Sequence, residues 1–356
     1  MHDARSVSPL GWMRVNLFST PLNSLLTLVI LAALAWLGPK VGGWLIWDAV
    51  WGPKPSSACD AVRGEGACWA VVWNKIRFML FGVYPFEEQW RAAVAAVVLT
   101  SLLVVSALRF FWRKSLIAIW VVGIVLAFWL MGGGLGLTPV PAERWGGLSV
   151  TLILAIFGIG FAFPLGVLLA LGRRSRLPVI RAVSVLYIEI VRGVPLITVL
   201  FMASIMFALF MPEGLRIEQL LRAQVAIILF IAAYLAEAVR GGLQAVPRGQ
   251  YEAAEALGLS YWRTMGFIVL PQALKISIPP IVNIFISVFK DTSLVVIIGI
   301  YDIAYAVKKS VETDISWKKY FIEAFLFSIV VYWIYCFAMS RYSQWLEREF
   351  ARGERR

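Results

Sequence analysis

The sequence predicts an all-α integral membrane protein crossed by about eight transmembrane helices, and three observations carry that expectation. First, 60% of the 356 residues are hydrophobic, above the roughly one-half typical of a soluble domain. Second, only 15% are charged, where a soluble surface draws on about a quarter. Third, mean hydropathy is +0.80, and the apolar residues fall in blocks of about 20. That length crosses a hydrocarbon core at about 1.5 Å per helical residue.

The blocks place spans near 22–38, 92–108, 115–131, 148–171, 183–210, 223–240, 272–300 and 321–340. The first is read as a retained span, because no small-residue cleavage site follows it. The net charge of +12 does not imply nucleic-acid binding. Most Arg and Lys sit in short loops between apolar blocks, where they set orientation and attract anionic membrane lipids. Arg109, Arg113 and Lys114 in one loop, and Arg173, Arg174, Arg176 and Arg181 in another, favour cytoplasmic N- and C-termini. Lys308, Lys309, Lys318 and Lys319 oppose the bias, because the same topology puts 301–320 outside.

The chain divides near 145. Residues 1–145 form an N-terminal extension with three spans and a hydrophilic outer loop at about 48–91. Trp44, Trp47, Trp51, Trp69 and Trp73 in and beside that loop suit the membrane interface. Cys59 and Cys68 share it, either as a disulfide favoured by an oxidising outer compartment or as two free thiols. Residues 146–356 hold five spans, intramembrane charges and a long inner loop at about 241–271.

That loop reads AVPRGQYEAAEALGLSYWRTMGFIVLPQALK over 245–275. Pro247 suits a helix start, Glu252 to Leu257 are strong helix formers, and Gly258 suits a left-handed stop. Leu257, Leu259, Tyr261 and Trp262 leave such a short helix with apolar surface it cannot bury. The helix either seats a partner or lies on lipid.

Glu252-Ala253-Ala254, then Gly258, Ile268 and Leu270-Pro271, resemble the EAA loop of binding-protein-dependent ABC importer permeases. Tyr187 to Leu196 and Lys290-Asp291-Thr292-Ser293-Leu294 resemble segments of the polar amino acid (histidine-permease-like) branch. The extension resembles that of the larger permease subunit of general L-amino acid systems. The resemblance implies a type I ABC importer permease core in the last five spans, at the bacterial inner membrane. It implies a cytoplasmic ABC ATPase dimer seated on the EAA loop, a second, unequal permease subunit and a periplasmic amino-acid-binding protein. ATP and Mg would be bound by the ATPase.

Charges inside a span face the bundle interior or a wet cavity, because each costs at least about 2.5–3.5 kcal/mol at mid-span. Glu189 and Arg192 share a helix face and suit mutual pairing. With Lys290, Asp291, Thr292 and Ser293 they are candidates for the translocation path; the alternative for each charge is a structural ion pair. Pro279-Pro280 marks a gate or a static bend.

The sequence has no G-x-x-x-x-G-K-[ST]; Gly132-Gly133-Gly134-Leu135-Gly136 lacks the Lys-Ser or Lys-Thr. Its single histidine is His2, and it has no metal-ligand spacing and no nucleophile motif. Enzyme chemistry and a bound cofactor are therefore not expected. An ion-coupled secondary transporter of small polar solutes is the alternative, but the inverted repeats it calls for are absent. A membrane scaffold would leave the EAA spacing without a reason.

Overall fold

The computed structural model describes residues 8–212 and 216–353; His2 and the last three residues of the basic tail lie outside them. The described residues are helical, with three isolated bridges and no strand. They form two compact units, Met1–Asn74 and Lys75–Arg356.

In the first unit, α1 (Pro21–Gly42) starts on Thr20, whose hydroxyl accepts from Asn23 N at 3.1 Å. It continues as a π-helical turn through Trp47, and none of its side chains is buried. The chain beyond it is stapled. Cys59 and Cys68 are joined as a disulfide with Cα atoms 5.5 Å apart. Ala67 N donates to Trp44 O at 2.7 Å, and the Trp69 indole N–H donates to Leu45 O at 2.8 Å. α2 (Ala70–Phe81) begins here and ends in the second unit.

The second unit is built from α3 (Gln89–Ala107), α4 (Ser115–Gly132), α5 (Leu148–Arg173) and α6 (Pro178–Gly193). After these come α7 (Leu196–Phe201), α8 (Gln219–Ala245), α9 (Arg248–Ala256) and α10 (Leu270–Ile276). α11 (Ile278–Asp291), α12 (Ile303–Glu312) and α13 (Phe321–Gly353) complete it.

Over the described residues, seven helices are long and apolar enough to cross a membrane. A bent pair brings the number to eight if its two arms count as one broken span rather than a re-entrant loop. That pair replaces the continuous 183–210 span expected from hydropathy: α6 and the segment from Leu196 to Leu209 meet at 102°. Pro195 explains the break, since its ring pushes Val194 out of the helical region to φ −107, ψ 135. Pro279 and Pro280 do not lie within one continuous 272–300 helix, because the chain is divided there into α10 and α11. They occupy the first turn of α11, where missing amides cost little, and the discontinuity lies at Ser277 just before them.

The centre of this unit is α5 against α8. Gly158, Ala162, Gly166 and Ala170 repeat every four residues and are buried along α5. A Cβ on Gly166 would lie 2.7 Å from Leu235 Cβ and 3.1 Å from Ala232 O. Small residues at this spacing let two backbones approach, which drives association where lipid gives no hydrophobic gain. Gly242 plays the same part between α8 and α10, where a Cβ would collide with Ser277 and Ala273.

The loops at one end of the unit interlock. Gly147, at φ +69, donates to Tyr301 O at 2.8 Å, and any side chain there would strike Leu80 O. Thr151 Oγ1 accepts from Ile303 N at 3.0 Å. Asp302 is fully buried and caps α12, accepting from Tyr305 N at 2.9 Å and from the Tyr332 hydroxyl at 2.9 Å. Burial raises its carboxyl above the usual range, and the backbone and Tyr332 donors pull it back. Arg91, also fully buried, donates to Leu130 O at 2.7 Å and Thr138 O at 2.9 Å, with Glu88 at 3.4 Å. Lys75 meets Asp314 at 2.7 Å, so the lysine-rich 301–320 segment shares this end with the start of the second unit.

Two outcomes follow from this packing. Gly166→Val should cost about 1–3 kcal/mol through overpacking, read as a lower melting temperature of the purified chain. The hydrogen bond from Lys75 holds the Asp314 carboxyl below its ordinary 3.8. Because that value is depressed in the folded chain, the clip contributes above pH 3.8 and is lost as pH falls through the lower folded value. Amide exchange at Ser316 and Lys318 should therefore rise as pH drops below about 3.8 beyond the intrinsic trend, and Lys75→Gln should remove that dependence.

Candidate functional site

At the other end, Arg109 meets Glu349 at 3.0 Å, and the 245–270 loop closes under α5 and α8. α9 ends in two paired bonds, Gly258 N to Glu255 O at 2.9 Å and Leu259 N to Ala254 O at 3.1 Å. Gly258 sits at φ +68. This is the left-handed stop that a residue with a Cβ enters only with strain. The chain then runs through Tyr261–Arg263 and a π-helical segment, Thr264–Val269, directly into α10.

The residues of the EAA pattern divide by direction. Glu252, Ala253 and Gly258 are exposed, and so is Pro271 at the first turn of α10. Ala254 is buried, and Ile268 and Leu270 pack on the core. Ala254 thus seats the short helix on its own chain, and a partner would meet Glu252, Ala253 and Gly258. Around them Leu257 is 76% exposed, Trp262 73% and Phe267 80%. Together they form an open apolar cluster on a loop of fixed geometry.

The charges expected in one helix-face pair have found other partners. Glu189 binds Arg173 at 2.9 Å rather than Arg192. Arg192 lies 3.7 Å from Glu237 and against the Tyr234 ring, 5.7 Å from its centroid. Glu237 also meets Arg173 at 3.4 Å and Arg240, three residues on. Neighbouring helices supply charges nearer than the i,i+3 partner, so local spacing could not foresee the pairing. Glu237, the hub that ties α5, α6 and α8, was not singled out from the sequence; a carboxylate inside an apolar block was its available signal.

A cavity of about 340 Å³ opens beside this network. Its apolar wall comes from Leu196, Ile227, Phe230 and Ile231, and its polar side from Tyr234, Asn283, Ser287, Asp291 and Thr292. Asn283, Ser287 and Asp291 recur every four residues and form one stripe along α11. Of the six expected path residues, Asp291 and Thr292 line the cavity, and Arg192 abuts it through Tyr234. Glu189 turns to Arg173, while Lys290 is exposed and Ser293 donates to Lys290 O at 2.7 Å. The cavity therefore offers one carboxylate, hydroxyl and amide groups and an aromatic face, with a guanidinium beyond Tyr234. Such a set suits a small zwitterion. Among the described residues no cluster could hold a metal ion.

Residues 162–352 match the model of the family described as binding-protein-dependent transport system inner membrane component. Along nearly its whole length the chain is 47% identical to the inner membrane amino-acid ABC transporter permease protein YhdY of Escherichia coli, covering 96% of this chain and 93% of that one. It is 38% identical to the glutamate/glutamine/aspartate/asparagine transport system permease protein BztC of Rhodobacter capsulatus, covering 98% and 95%. It is 35% identical to the probable glutamine ABC transporter permease protein GlnP of Bacillus subtilis, covering 58% of this chain and 93% of that one.

The charge network makes a testable claim about stability. Glu237→Gln removes the negative charge shared by three guanidiniums and leaves one neutral acceptor oxygen, and should cost roughly 1–3 kcal/mol, the range for a hydrogen bond to a charged group. Glu189→Gln, at an exposed single contact, should cost less than about 1 kcal/mol. Thermal unfolding of the two purified variants compares them.

Proposed function

The chain belongs to the binding-protein-dependent transport system inner membrane components, and we propose that it carries L-amino acids inward through the cavity at Asp291, powered through α9. As a member of that family it is the permease subunit of an ABC importer, and ATP hydrolysis belongs to a separate chain. Family membership also sets aside the ion-coupled secondary transporter.

The observation that carries the reading is the fixed presentation of α9. A short helix with Glu252, Ala253 and Gly258 outward, ringed by exposed Leu257, Trp262 and Phe267, supplies the seat for a cytoplasmic ABC ATPase dimer. On this reading the α9 end is cytoplasmic, with both termini, and the Lys75–Asp314 end is periplasmic, where the amino-acid-binding protein delivers its cargo. The Cys59–Cys68 disulfide fits an oxidising outer compartment.

An amino acid presents an ammonium and a carboxylate. Asp291 meets the ammonium, and Arg192 meets the carboxylate when its contact with Glu237 loosens. Amino-acid transport is what the names of the full-length relatives state, which supports the substrate class. Residues 1–145 form the extension and 146–356 the core, consistent with a family match that starts at Ala162 and with a shorter relative that covers 58% of the chain. A heterodimer with a second permease completes the pathway.

Uptake by vesicles containing the permease, its ATPase and its binding protein tests both parts. Gly258→Val should strip the ATPase from the purified complex. Asp291→Asn should leave the complex whole and cut amino-acid uptake by about ten-fold, the worth of one charge-assisted hydrogen bond. Undiminished uptake by Asp291→Asn would remove that residue from the path.

A further inference from the structure

Resting on the reading of α9 as the ATPase seat, we infer that Arg174 and Tyr251 form the tether that passes movement of α9 into the α5–α8 pair. Arg174 directly follows α5. Its guanidinium Nη1 donates to Leu243 O at 2.9 Å and to the Tyr251 hydroxyl at 3.0 Å. Tyr251 Oη donates in turn to Leu243 O at 3.2 Å. The guanidinium also lies over the Tyr251 ring, 5.5 Å from its centroid. Three elements therefore share one triangle: the end of α5, the last turn of α8 and the first turns of α9.

α8's final carbonyls have no helical partner. Leu243 O, one of them, is held by two donors that come from the two elements α8 must follow. α5 and α8 are locked together by the buried small-residue stripe, so the pair moves as one body. Ile227, Phe230, Ile231 and Tyr234 of the same α8 line the cavity. A displacement of α9 thus reaches the cavity wall through Tyr251, Leu243 O and Arg174.

Another polar side-chain link joins α9 to a neighbour: Gln272 donates to Gln250 Oε1 at 3.1 Å. That link leads to α10, which is separated from α11 by the break at Ser277. The Arg174–Tyr251 tether leads instead into a continuous helix. Arg174 and Tyr251 are positioning residues, and neither touches the cavity.

The test measures amino acid taken up per ATP hydrolysed, in vesicles holding the whole complex. Arg174→Gln and Tyr251→Phe should each lower that ratio by about ten-fold, with the ATPase still bound in full stoichiometry. Arg174→Lys, which keeps one donor, should recover part of the loss. The double variant should be no worse than the worse single one, because both break a single triangle. A ratio unchanged in both single variants overturns the tether, as do additive losses in the double variant. Tyr251→Phe removes one hydroxyl and keeps the ring, so it carries the test if Arg174→Gln fails to fold. A failure of the docking reading shows itself separately, as an ATPase that stays bound and coupled in Gly258→Val.

Discussion

Everything in the second unit depends on how closely α5 and α8 approach. In a bilayer, burying apolar surface between helices gains little, because the lipid is as apolar as the side chains. Association must come from contact between backbones, and Gly158, Ala162, Gly166 and Ala170 are what permit it. These residues lose almost no side-chain freedom on packing, so the entropy cost of the contact is low. Once the pair is set, the interlocked loops at one end and Leu243 O at the other have fixed positions. The cavity then follows as the space between α8, α11 and the start of α7.

Three charged groups in this apolar body, Glu237, Asp302 and Arg91, each find partners beyond their own helix. Glu237 is surrounded by guanidiniums from α5, α6 and its own helix. Asp302 receives two backbone amides and a tyrosine hydroxyl. Arg91 donates to Leu130 O near the end of α4 and to Thr138 O beyond it. Asp291 lines the cavity instead.

Hydropathy made the crossings legible, because a run of apolar blocks, each of span length, cannot be solvated by so few charges. It could not show the turn at Val194-Pro195, since apolar residues continue across it and only the proline marks the break. The EAA pattern was legible as spacing, and Gly258 in the left-handed region gives that spacing a backbone reason. Its division into an outward and an inward set was not, because Ala253 and Ala254 are chemically alike and differ only in what lies beneath them. Glu189 and Arg192 show the limit of local reasoning, for the partners they chose lie far along the chain. Asn283 and Ser287 carried a usable signal, the four-residue rhythm that ends at Asp291.

The seam at Ser277 has a mechanical consequence. Pro279 and Pro280 cannot donate, so the carbonyls four residues earlier, on Lys275 and Ile276, lack their usual helical bonds. α10 and α11 are therefore joined at a seam with fewer helical bonds, held at one side where the Ser277 hydroxyl donates to Ala238 O at 3.0 Å. The polar stripe of α11 that ends at Asp291 therefore starts just beyond a place where the run of helical bonding is interrupted.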